Sequence, residues 1–394
     1  MGAIEKMLKP TNDINEQIEI GKKLVVAYDE TMVTFINGII EKAWKQNDCK
    51  LFGGILDKEG MFYKSAYDYW MYGFRPDQQF YYRLWEKSHE EKSTFLSEMK
   101  EMIYDARCNK MDDFHFLEDK FEAYELLKPY YKREIIKLTS EEDYPKFLDF
   151  ISRHPSFVFK PMGLHDTYGV DKIDTKEVKD LKVLFESFLG VAGNYKDDYT
   201  TDGYYHSGAV LEEIIEQDSE FGVMSPKSLN GVRIGTLRAN GKVHFIGAWL
   251  KMGVTDNLIV GESRDALMAG INCQTGVVET NGYYESGKIV AEHPVSKIPF
   301  IGFKIPKWDE MLEMMTKAAG ELMPTINYVG WDVVLTPKGW VVIEGNFYGQ
   351  QLWQVVYEKG TEKEFGDIIG WHIEEGKYWW QYSRKKMNKE AGLI

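Results

Sequence analysis

Hydrophobic positions along this chain change their spacing once, near residue 134. From Ile18 to Trp44 and from Arg83 to Tyr131, apolar residues recur at three- and four-residue intervals with few breakers, which predicts helices. Between these stretches lies Asp68-Tyr69-Trp70-Met71-Tyr72-Gly73-Phe74, read as packing that joins the helices, with sugar stacking as the weaker alternative. From about Glu134 the pattern shortens to β-branched and aromatic runs separated by glycine turns: Ser156 to Phe159, Ala209 to Leu211 and Gly231 to Arg238. Two runs, Thr236 to Arg238 and Val243 to Ile246, flank Asn240-Gly241, a pair that accepts the positive φ of a hairpin turn. A helix with one apolar face is predicted over Lys307 to Met323, with Pro324 just beyond it. The aromatic C-terminus, Trp371 to Tyr382, is expected to dock on the sheet that the β-branched runs form or on a partner.

A second hairpin, Gly330 to Asn346, places two carboxylates and an amide among strongly β-forming residues. Pro337-Lys338-Gly339 suits a three-residue loop, which would pair Thr336 with Trp340 and, counting back, Asp332 with Glu344. Side chains alternate with period two, so Asp332, Glu344 and Asn346 would share one face while Val333, Val341 and Ile343 point into the opposite layer. Hard oxygen ligands on adjacent strands suit Mg²⁺, which is held by one or two carboxylates plus substrate phosphates. Taken alone, the same residues fit an ordinary solvated face equally well.

Composition narrows the class. With 394 residues, 44% hydrophobic and 28% charged, the chain is expected to fold into two or three lobes without disordered tracts. A net charge of −14 offers no basic footprint for nucleic acid. The three cysteines are widely spaced, which argues against a disulfide framework and structural zinc and points to a reducing cytoplasm. Neither a signal peptide nor a membrane-length apolar run is expected.

Upstream of the acidic hairpin, Lys160 stands at the end of an apolar run, ahead of the loop from Gly163 through Thr167 to Gly169. Its glycines would let backbone N–H groups approach phosphate, with Lys160 as a point charge. Val210 to Asp218 reads as a strand ending in acids, an edge able to hydrogen-bond adenine. Arg233 is a charge inside an apolar strand, costly to bury unless an anion pairs with it; a phosphate or acyl phosphate would serve. Two loop-like stretches, Trp249 to Asn257 and His293 to Lys304, are candidates for the second substrate. They offer Lys251, Asn257, His293 as a base, and Lys304.

In this order, the lysines, glycine loop, strand arginine and Asp…Glu-x-Asn hairpin resemble the ATP-grasp superfamily, and within it the sugar-transfer-associated family, over roughly Asp119 to Gln354. The resemblance implies an α+β ATP-grasp fold. An α-rich N-terminal domain (1–133) would precede a small lobe with the glycine loop (134–215) and a large lobe with the Mg²⁺ site and aromatic extension (216–394). It implies ATP bound by Lys120, Lys160, Gly163, Thr167 and Gly169, with Glu213 and Ile215 as the adenine hinge and Glu212 beside the base's amino group. Asp218 or Glu220 would hold the ribose. Arg233 would bind the transferred phosphoryl group, and Asp332, Glu344 and Asn346 would hold Mg²⁺. The activity implied is carboxylate–amine ligation through an acyl phosphate, on an amino acid or a uronic acid or other sugar conjugate. A kinase acting on a sugar or other hydroxyl, and a nucleotide-responsive scaffold of a glycan assembly complex, are the alternatives.

Overall fold

The computed structural model describes residues 2–46, 56–162, 169–189, 192–195, 204–254, 266–284, 287–349 and 352–394. Its first 130 or so residues are helical, but the two long helices the periodicity predicts are divided. The first breaks between Ile14–Leu24 and Glu30–Gln46, where Tyr28 is extended. The second becomes a series that includes His89–Thr94, Glu98–Cys108 and Lys120–Tyr131. Local capping explains two of the restarts. Ser88 and Glu91 form a reciprocal capping box, and Asp119 accepts from the N–H groups of Phe121 and Glu122.

Among the described residues thirteen strands follow: β1 (Ile135–Leu138), β2 (Ser156–Pro161), β3 (Asp171–Asp174), β4 (Ala192–Tyr195), β5 (Tyr204–Ser207), β6 (Ala209–Glu213), β7 (Gly231–Ala239), β8 (Lys242–Gly253), β9 (Ala266–Gly270), β10 (Gly282–Tyr284), β11 (Ile289–Val290), β12 (Tyr328–Thr336) and β13 (Gly339–Asn346). Among the described residues they form a four-stranded sheet in the order β1-β6-β2-β3, a seven-stranded sheet in the order β11-β10-β9-β8-β7-β12-β13, and the pair β4-β5. Between β7 and β8, Asn240 (φ 53°) and Gly241 (φ 72°) make the two-residue turn that the sequence predicts, with Ala239 opposite Lys242.

The acidic hairpin reaches its expected pairing by another route. Thr336 pairs with Gly339 rather than Trp340, so the loop is one residue tighter than predicted. That register alone would place Asp332 opposite Ile343 and turn Glu344 to the other face. A bulge at Ile343 adds the missing residue: Val333 pairs with Val342, and Asp332 pairs with Glu344. Val333 and Val342 enter the core with Trp331 and Trp340. Val341, expected in that layer, instead pairs with Val334 on the face that carries the acids.

The core face of the large sheet packs on helices Trp308–Glu321 and Lys120–Tyr131, burying Ile234, Leu250, Val333, Met311 and Leu127 together. Its opposite face meets the N-terminal helices through Trp249, Met268, Tyr283 and Trp353. Phe147, Phe150, Phe185 and Phe188 cover one face of the small sheet, where they meet Phe157 and Phe159. Because strand residues alternate, Val158 and Lys160 point from β2 to the other face. The 68–74 run is a packing element, as expected: Asp68, Tyr72 and Phe74 are buried. The C-terminal aromatics close on it, with the indole N–H groups of Trp379 and Trp380 donating to the carbonyls of Tyr69 and Trp70. Among the described residues, no helix is long and apolar enough to cross a membrane.

Trp353 lies flat on Gly235 and Gly247, which face each other across β7 and β8. A Cβ at Gly247 would come within 2.2 Å of the indole ring. Gly247→Ala is therefore expected to cost about 1–3 kcal/mol in urea unfolding. Gly320→Ala, at a helical position with open space around it, is expected to leave stability unchanged or raise it by up to about 1 kcal/mol.

Candidate nucleotide and metal site

Four strands bring one row of side chains together. Trp249, Arg233, Asp332 and Glu344 are register partners across β8, β7, β12 and β13, on the face opposite Ile234 and Val333. The Arg233 guanidinium lies 5.8 Å from the Trp249 ring centre and donates to Asp332 Oδ2 at 3.0 Å. The anion that makes this burial tolerable is thus the protein's own carboxylate. Gly330 leaves room for it, since a Cβ there would stand 2.9 Å from Arg233 Nε and 2.5 Å from the Gly349 carbonyl.

The two acids respond oppositely to their surroundings. Burial and the neighbouring Asp332 push Glu344 above the usual glutamate range. Burial would also raise Asp332, but Arg233 and Lys251 outweigh it and hold Asp332 low. Asn346 donates its amide N–H to the Gly330 carbonyl at 3.2 Å, which turns its Oδ1 away from that bond. Among the described residues, no cluster of three or more His, Cys, Asp or Glu side chains is arranged to hold a metal. Two carboxylates and an amide do fit Mg²⁺, which takes its remaining ligands from water and phosphate and would offset the charge Asp332 imposes on Glu344.

Two lysines reach the same region from different elements. Lys120 is the first residue of the Asp119-capped helix; burial lowers its pKa, Glu344 works against that, and Lys160 reinforces it. Lys160 bonds Glu212 Oε1 at 2.6 Å across β2 and β6. Arg133 takes the other oxygen of Glu212 at 2.8 Å, and although burial alone would raise that carboxyl, the two cations bring it down to about 2. Glu212, expected beside adenine, is therefore the anchor of Lys160. Glu213 closes β6, its N–H spent on the Glu134 carbonyl at 2.9 Å, and Ile215 lies in the irregular segment that follows. Asp218 caps the turn Ser219–Gly222 and stands 3.7 Å from Lys307 Nζ.

Several expectations change. Trp249 and Lys251 are not loop residues but lie within β8, alternating with the core residues Ala248, Leu250 and Met252. His293 is fully buried, with Nε2 on the Gly253 carbonyl at 3.0 Å and Nδ1 receiving the N–H groups of Val295 and Ser296. Both ring nitrogens are occupied and burial lowers its pKa, so it is a neutral structural histidine rather than a base. Lys304 is exposed at a bridge to Val277, outside the row. Gly169 has φ 70°, while Gly163, Thr167 and Asn257 lie outside the described residues. The sequence reading missed Arg133, because a charge just before a strand has the pattern of any solvated strand end.

Residues 100–368 match the profile of the sugar-transfer associated ATP-grasp family. The chain belongs to that family. It is also similar to solved ATP-grasp structures. The ATP-grasp ligase PsnB with its minimal precursor is 12% identical, over 73% of this chain and 62% of that one (TM-score 0.34). The L-amino acid ligase from Bacillus licheniformis is 15% identical, over 63% and 44% (TM-score 0.37). D-alanine–D-alanine ligase from Bacillus anthracis complexed with ATP is 14% identical, over 72% and 69% (TM-score 0.37). The matched part thus spans less than two thirds of the first two of these proteins. No curated protein matches the chain. Membership in the ATP-grasp family accords with the mixed helix-and-sheet architecture and its helical N-terminal region.

The Lys160–Glu212–Arg133 cluster carries a pH signature. Glu212 sits below its unfolded value, so its contribution to stability is present above pH about 4.5 and is lost as pH falls toward about 2. Glu212→Gln, which leaves the buried Arg133 and the half-buried Lys160 without their anion, is expected to destabilise the protein at neutral pH by about 3–5 kcal/mol. The gap from wild type should narrow as pH drops through that window, read by denaturant unfolding at a series of pH values.

Proposed function

We propose that this protein is an ATP- and Mg²⁺-dependent ligase that joins a carboxylate to an amine through an acyl phosphate, in glycan or amino-acid conjugate biosynthesis. The observation that carries the reading is the meeting of three cations, Lys120, Lys160 and Arg233, with the Asp332/Glu344 pair. Such an arrangement suits a polyphosphate bound through a divalent cation.

In this reading Lys160, held by Glu212, and Lys120 meet the nucleotide phosphates. The segment Gly163, Thr167 and Gly169 covers them, and the boundaries near residues 133 and 215 divide the helical domain, small lobe and large lobe. Glu213 reads the base through its carbonyl, because its N–H is already spent, and Ile215 through its N–H. Ribose recognition falls to Asp218 or Glu220. Asp332, Glu344 and Asn346 hold Mg²⁺, which when bound supplies charge neutralisation at the phosphates. Arg233 faces the γ-phosphoryl group as a substrate carboxylate oxygen attacks phosphorus and ADP leaves. It then steadies the acyl phosphate while an amine attacks the carbonyl carbon, expelling phosphate and losing a proton. Lys251, on the same face and within electrostatic reach of Asp332, contacts the acid substrate in this reading.

The test is an ADP-release screen crossing amino acids with uronic acids and sugar nucleotides. With the right pair, ADP and an amide form together, and hydroxylamine added in place of the amine traps a hydroxamate. Arg233→Met and Glu344→Gln are each expected to lower turnover by about 10²–10³-fold. A stable phosphorylated product without an amide would make the protein a kinase. Binding of ATP·Mg²⁺ with no ADP formed from any pair would leave a scaffold.

A further inference from the structure

Arg133 belongs to neither ligand, yet its guanidinium is saturated. It lies between helix Lys120–Tyr131 and β1, buried at 8% exposure, with its charge over the Tyr131 ring. Nε and Nη2 both donate to Glu212 Oε2, at 2.9 and 2.8 Å. Nη1 donates to the carbonyls of Val342 at 2.6 Å and Tyr131 at 3.3 Å, and Nη2 also reaches the Ile343 carbonyl at 3.3 Å. Five contacts use the five N–H donors that a guanidinium has.

The acceptors on β13 are not arbitrary. Ile343 is the bulge residue that the ladder leaves over, and Val342 is the last paired residue before it. This bulge is what brings Glu344 opposite Asp332. A bulge interrupts the ladder, so the carbonyls around it need other donors. On its other side, Arg133 holds the carboxylate that anchors Lys160. One planar cation thus joins the two sheets at the points where each presents its ligand-facing charge.

We propose that Arg133 is a positioning residue that keeps the Glu344 strand in register with Lys160, so that a divalent cation and the nucleotide phosphates bind as one unit. The proposal rests on the reading that Lys160 and Glu344 serve ATP and Mg²⁺. A lysine in its place could keep the bond to Glu212, but its single ammonium cannot also span two carbonyls in the plane of a fork. Losing a group that orients a metal ligand typically costs 10–100-fold in metal affinity.

The test is calorimetric titration of ADP with and without Mg²⁺ on wild type, Arg133→Lys and Arg133→Gln, each checked for a cooperative thermal transition. Wild type should bind ADP more tightly when Mg²⁺ is present. In the variants, metal-free ADP affinity should stay within about threefold, because Glu212 still holds Lys160. The factor by which Mg²⁺ tightens ADP should fall about tenfold or more. If Arg133→Lys does not fold, Arg133→Gln, which keeps an amide donor and lowers the buried positive charge, carries the comparison. A folded variant with the wild-type Mg²⁺ factor overturns the proposal. So does an equal loss of ADP affinity with and without Mg²⁺, which marks a purely structural role. A wild-type protein that binds ADP with no Mg²⁺ effect overturns the underlying ATP·Mg²⁺ reading, and the proposal with it.

Discussion

A guanidinium in the middle of a seven-stranded sheet is the constraint around which the large lobe is arranged. Arg233 is 5% exposed and cannot be left without a counter-charge at a tolerable cost. Asp332 supplies that charge from the next strand, Trp249 supplies a ring on the other side, and Gly330 supplies the space. Each of these is a register relation, so a one-residue slip in β7, β8 or β12 would strand a charge in the interior. Opposite charges in one cross-strand row therefore select the alignment of the sheet as well as forming the candidate site.

Satisfying Arg233 creates a second problem, because Asp332 also faces Glu344. The consequence appears as the opposed behaviour of the two carboxyls, one held low by the arginine and the other pushed up by burial and its neighbour. A sheet built for stability alone would not place two half-buried acids side by side. A divalent cation between the two carboxylates would relieve this repulsion.

The sequence made the architecture legible where period and turn chemistry agree: the Asn240-Gly241 hairpin, the helix behind Pro324, and the strands carrying Lys160 and Arg233. It misled where a local device intervened. Capping at Ser88 and Asp119 cuts a periodic run that reads as one helix. The pairing of Asp332 with Glu344 was right through two departures that cancel, a shorter turn and a bulge at Ile343, neither of which alternation can reveal. Trp249-Leu250-Lys251 read as loop because its charge hid the alternation of Ala248, Leu250 and Met252 on the core face. Arg133 was invisible because its value lies in reaching carbonyls about 210 residues away in the chain, and no local pattern records such a contact.

The tryptophans at positions 379 and 380 have a topological meaning beyond packing. By bonding to the carbonyls of Tyr69 and Trp70, they fasten the chain's last segment to its first helices, with both sheets contained in the intervening loop. The polypeptide is closed on itself like a belt whose buckle packs against the same apolar cluster as Trp249. Opening the buckle releases no sheet hydrogen bond, and a second tie remains, because the Asn388 amide beyond it donates to the carbonyls of Ala106 and Asn109. The N-terminal helices and the C-terminal aromatics should therefore come away from the folded body as a single cooperative unit rather than fraying separately.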